Sequence, residues 1–145
     1  MRTMEVSDVR RRLRGAIEQA RQDAAERRVR NDAAERDYEE FLTKCAVPTV
    51  HQMASALTAE GHPFKVFTPA RAVRLASERS PEEFVELALD DTVDPHVVVG
   101  RTTRGRGRRV ISTERPIRDG DPISEISEED VLAFLLKELV AILER

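Results

Sequence analysis

The chain has 145 residues, of which 40% are hydrophobic and 35% charged, with a single cysteine and no tryptophan. Aromatic residues make up only 4%, which excludes a large aromatic-rich core, and a net charge of −3 excludes a strongly basic protein. One thiol excludes an internal disulfide and a cysteine-built zinc cluster.

The opening residues, Met-Arg-Thr-Met-Glu-Val, hold no apolar stretch of a secretory signal. No run approaches the ~18 apolar residues of a membrane span. Cytoplasmic placement, with no membrane partner, is the default expectation.

Residues 6–45 read as one long helix. Ser7 is the expected N-cap, and Asp8 places a negative charge in the first turn, where the helix dipole favours it. Ala, Arg, Glu and Gln dominate, no proline occurs before Pro48, and Gly15 is the only glycine. Acid-before-base pairs at i, i+4 (Asp23–Arg27, Glu26–Arg30, Asp32–Arg36) add about 0.2–0.5 kcal/mol each. Alternating steps of four and three select Val6, Arg10, Leu13, Ile17, Ala20, Ala24, Arg27, Asn31, Ala34, Tyr38, Phe41 and Cys45. This is a heptad frame, strong at both ends and weak in the middle, where alanines bury little area. A helix so long and so polar cannot bury its own stripe and needs a partner helix. Val6, Leu13, Ile17, Ala20, Ala24, Asn31, Ala34, Tyr38 and Phe41 are therefore the expected oligomerisation residues. Asn31, polar at a core position, favours one register at some cost in stability.

The frame breaks at Pro48, because proline clashes with the preceding turn and removes a donor. A kink or break is predicted there, followed by a second helix over about 48–60 that ends at Gly61 and Pro63. Residues 1–60 thus form a helical coiled-coil or arm region, and residues 61–145 a small α+β domain.

In that second part, 64–68 is β-prone and Pro69 stops it. Residues 72–77 alternate, with Val73 and Leu75 on one face. Ser80-Pro-Glu-Glu83 resembles a helix start, yet Val85, Leu87 and Leu89 alternate as in a strand. The strand reading is preferred, since residues 91–95 then make a hairpin with the β-branched run 96–103. Residues 108–113 pair next, with Arg104-Gly-Arg-Gly107 as the turn. An antiparallel meander of four or five strands results. A turn over 119–122 leads to Ser127, an N-cap before three acids, and then to a C-terminal amphipathic helix with more apolar residues than one sheet face can cover.

Charge is distributed in blocks. Residues 78–94 carry seven acids, 101–118 seven arginines, and 119–130 six acids. Arg101, Arg104, Arg106, Arg108 and Arg109 would project from the hairpin as a phosphate- or partner-binding finger, or pair with the acids on either side. No interleaved aromatics suit stacking on single strands. His51, His62 and His96 have no metal-ligand spacing and are expected to be solvated. Paired carboxylates such as Glu82-Glu83 and Glu128-Glu129-Asp130 read as caps and solvated turns. Cys45 lies mid-stripe without a nearby base. No catalytic, cofactor or metal motif is present.

The reading is a non-catalytic homo-oligomeric interaction or regulatory module, a dimer in its simplest form, with another protein as a further partner. The alternative is a dimeric nucleic-acid-binding protein using the arginine hairpin. The third is an enzyme with its site at a subunit interface.

Overall fold

A computed structural model describes residues 3–120 and 122–144. Helix α1 spans Val6–Phe41, passes through a π-helical turn at Leu42–Ala46 and continues as α2, Val47–Ala59. Five strands follow: β1 (Phe64–Phe67), β2 (Val73–Ser77), β3 (Phe84–Asp90), β4 (Val97–Arg106) and β5 (Arg109–Pro116). They form one antiparallel meander in sequence order. A short 3-10 turn at Ile123–Glu125 leads into α3, Glu128–Leu143. The fold is α+β, with the expected long helix, meander and terminal helix.

Alternation decides the strands. Val73 and Leu75, Val85 and Leu87, and Val98 all point to one face of the sheet, where they join Val50, Met53, Leu135 and Leu139 from α2 and α3. The segment that could have been helix is therefore β3. Ser127 caps α3 as expected, in a reciprocal capping box with Asp130.

Three local expectations need correction. Helix α1 begins at Val6, so Ser7 lies inside it, and Glu5 is an N-cap without a side-chain hydrogen bond. At Pro48, where a kink or break was expected, the helix runs on without a break. The π turn before it inserts the extra residue that rotates the buried face from Tyr38 and Phe41 to Val50, Met53 and Leu57. Pro48 then sits in the first turn of α2, where a missing N–H is tolerated. The β4–β5 turn is only Gly107-Arg108, and Gly107 has φ +62°, as the first central position of a type II′ turn requires. Arg104 and Arg106 consequently lie on β4 rather than in a loop. Asp121, in the expected turn over 119–122, is outside the described residues.

Helix α3 crosses the sheet at Gly100. A Cβ at that position would overlap the Phe134 ring, so the glycine allows the helix to approach the strand closely. Replacing Gly100 by Val should lower stability in urea denaturation by about 1–3 kcal/mol, the usual range for overpacking. In a Phe134→Ala background the same Gly100→Val change should cost much less, because the overlapped space is vacated.

Candidate interaction surface

The first 25 residues of α1, 6–30, stand clear of the domain as an arm roughly 37 Å long at 1.5 Å per residue. Val6, Leu13 and Ile17 are 74%, 56% and 43% exposed along it. Ala20 is exposed and Ala24 half-buried. Farther along the same frame, Ala34 packs on the core of the protomer, and Tyr38 and Phe41 are buried within it. The stripe thus has two parts: 34–45 packs inside the protomer, and Val6, Leu13, Ile17 and Ala20 are left exposed. Of the three expected i, i+4 ion pairs, none forms, and Arg30 instead reaches Asp94 at 2.9 Å.

A polar joint fixes the root of the arm. Arg71, in the β1–β2 connection, has φ 56°, which turns its carbonyl to accept the Tyr38 hydroxyl proton. Its guanidinium pairs with Glu35 and Glu39, which lie one turn apart on α1. Burial pushes the Tyr38 phenol up to about 12, partly offset by the Arg71 charge, so it remains a donor. Asn31 and His96 complete the joint. His96 is not solvated as expected: its side chain is 8% exposed, with Nδ1 3.9 Å from Glu35. Neither that Nδ1 nor the buried Oδ1 of Asn31 has a hydrogen-bond partner.

The arginines are divided by the sheet. Arg101 lies on the open face and donates to Glu86 at 2.9 Å, while Arg74 binds the other Glu86 oxygen at 3.1 Å. These three side chains form one cross-strand row, with the Arg74 guanidinium 4.0 Å from the Phe84 ring centroid. Arg104, Arg106 and Arg109 fall on the helix-bearing side. Arg104 reaches the carbonyl of Ala141 near the C-terminus of α3, where a cation is favoured. Arg106, Arg108 and Arg109 are exposed, with no carboxylate in ion-pair distance among the described residues. The hairpin tip and the arm lie at opposite ends of the sheet, since the β1–β2 and β3–β4 connections meet α1 and the β4–β5 turn does not.

Besides Glu86, two buried carboxylates went unread in the sequence. Glu83 is fully buried and accepts the Gly105 N–H at 3.2 Å, so it is not a solvated turn residue. Its odd number places it inward with Val85 and Leu87, and that spacing was the available signal. Glu138 falls on the buried face of α3 with Leu135 and Leu139, where it accepts from the Thr102 hydroxyl at 3.0 Å. Leu132, Leu136, Val140 and Leu143 form a second exposed apolar stripe on α3. Cys45 is half-buried, and burial followed by the charges of Glu128 and Asp130 raises its pKa, which keeps it a thiol. Among the described residues, no three His, Cys, Asp or Glu side chains are placed to hold a metal ion, and no helix is long and apolar enough to cross a membrane.

Comparison with protein-family models, with curated proteins and with solved structures finds no match to this chain.

Tyr38→Phe isolates the joint. Loss of the buried hydroxyl and the stranding of the Arg71 carbonyl should lower stability by about 0.5–1.5 kcal/mol at neutral pH. A phenol held protonated in the folded state contributes stability that is complete below the ordinary tyrosine range and is lost as pH rises toward about 12. Denaturation midpoints of the native protein should therefore fall more steeply than those of Tyr38→Phe as the pH is raised from about 10. Parallel curves would show that the hydroxyl does not titrate in this environment.

Proposed function

We propose that this protein is a non-catalytic interaction or regulatory module that self-associates through residues 6–31 of its N-terminal helix. The carrying observation is the exposed apolar stripe of Val6, Leu13 and Ile17 on an arm that meets the domain at its root, where Arg30 pairs with Asp94. Apolar groups repeated at heptad spacing on a free helix are stabilised by burial against a second helix. The α3 stripe offers a further apolar surface for a partner. Carboxylates that bond to neighbouring groups within the fold, such as Glu83, Glu86 and Glu138, give no indication of catalysis.

Light scattering at micromolar concentration should report at least a dimer. Leu13→Asp together with Ile17→Asp should convert it to a monomer with an unchanged unfolding midpoint for the sheet domain, because neither residue enters the protomer core. A native protein that is monomeric at these concentrations contradicts the proposal.

A second reading is favoured by one observation, the three exposed hairpin arginines without carboxylate partners: Arg106, Arg108 and Arg109. As a nucleic-acid contact they would bind phosphates with little selectivity among sequences, since no helix accompanies them to read bases. Duplex affinity would then fall with salt at a log–log slope of about −0.9 per phosphate neutralised, or roughly −5 for two subunits with three arginines each. Self-association without this activity predicts no measurable duplex binding at ~0.15 M salt, where charges are screened beyond about 8 Å. Steep salt-dependent binding, abolished by Arg106→Ser with Arg108→Ser and Arg109→Ser, would establish the second reading.

A further inference from the structure

We propose that the partner of the arm is a second copy of this chain lying antiparallel to it, with residue i of one arm level with residue 37 − i of the other. This rests on the self-association reading and adds to it the direction of the pair.

The first argument is steric. The heptad frame is continuous along α1, so the stripe that a partner would cover at 6–31 is the same face that meets the domain from Ala34 onward. A parallel partner following that face would bring its own domain to the same level and the same side, where the first domain already sits. The two helices would have to separate at Asn31. An antiparallel partner avoids this, because its helix begins at Val6 and ends where the domain begins.

The second argument is shape. With the levels summing to 37, Leu13 faces Ala24 and Ile17 faces Ala20, each pairing occurring twice in the dimer. Large residues then meet small ones in these central layers, and the helices keep an even separation there. In parallel register the Leu13 and Ile17 layers would be wide and the Ala20 and Ala24 layers narrow, which leaves gaps that weaken packing.

Charge supplies the third. The arm tip carries Arg10, Arg11, Arg12 and Arg14. Parallel pairing would lay this cluster on its own copy. At the arm root, the β3–β4 connection presents Asp90, Asp91 and Asp94, with Asp94 already bound to Arg30. Antiparallel pairing brings the arginine tip of one copy level with residues 23–27 of the other, beside that acidic connection. Arg10 then faces Arg27, a like-charged layer that is offset by Asp94, which already feels the Arg27 charge. Asn31 lies level with Val6 of the second copy.

Spin labels test the direction. In a Cys45→Ser background, Gln19→Cys and Ser7→Cys are labelled separately, and intermolecular distances are measured alongside the mass by light scattering. Residue 19 lies near the centre of the 6–31 overlap, so its labels should be close in either orientation. Residue 7 should be separated by roughly 35 Å in the antiparallel pair, from 23 residues of axial offset. In a parallel pair the residue-7 labels would be roughly 10–15 Å apart, set by helix spacing alone. A short distance at 19 with a long one at 7 supports the proposal. Short distances at both overturn the direction and leave self-association standing. Long distances at both, or a monomeric mass, overturn pairing through the arm and the direction with it.

Discussion

The arrangement of this protein depends on how Tyr38 is held. Its ring fills the junction of α1 and the sheet, fully buried, and its hydroxyl donates to the carbonyl of Arg71. That carbonyl is available because Arg71 adopts a left-handed backbone conformation, which a residue with a side chain reaches only at a cost. The cost is offset by what the conformation allows. The Arg71 guanidinium returns to Glu35 and Glu39 on α1, so backbone and side chain of one residue both bind the helix. A hinge in this position would let the arm swing. A buried hydrogen bond with flanking ion pairs instead extends the direction of the folded core into 25 residues of otherwise unsupported helix.

Outward from that joint the molecule shows two regimes of packing. From Ala34 onward, apolar residues of α1, α2, α3 and one sheet face bury one another. Before Asn31 the same heptad frame continues into solvent. A stripe uninterrupted in sequence but divided by environment has a physical consequence: nothing in the local residue pattern separates a position that packs inside the protomer from one left exposed. Tyr38 and Phe41 belong to the first kind, Val6, Leu13 and Ile17 to the second. Asn31 falls at the boundary, where a wholly apolar residue would extend the protomer core without a defined end.

This explains what was legible in the sequence and what was not. Period-two alternation at Val85, Leu87 and Leu89 identified β3 despite a helix-like start, because burial on one sheet face dominates over a local capping signal. The same alternation, carried back two residues, includes Glu83, but an acid beside Glu82 after a proline reads as a turn unless the inward phase is followed strictly. Pro48 was expected to kink or break the helix. A π turn absorbed it, and π turns depend on which face the following helix must bury, a tertiary constraint. The hairpin was placed correctly, but its turn proved to be two residues long rather than four. Arg104 and Arg106 were thereby drawn onto the strand and Arg101 onto the opposite face, beside Glu86. Strand register, set by contacts between distant residues, divided a charge cluster that is contiguous in the chain.

Amide hydrogen exchange measured at several protein concentrations tests the central claim most directly, because it reads the arm and the domain in the same experiment. An isolated helix opens readily, whereas a helix held against a second one exchanges only when the pair separates. Protection across residues 6–30 should rise with protein concentration, while protection in the strands stays constant. Arm amides that exchange equally fast at every concentration would contradict the account.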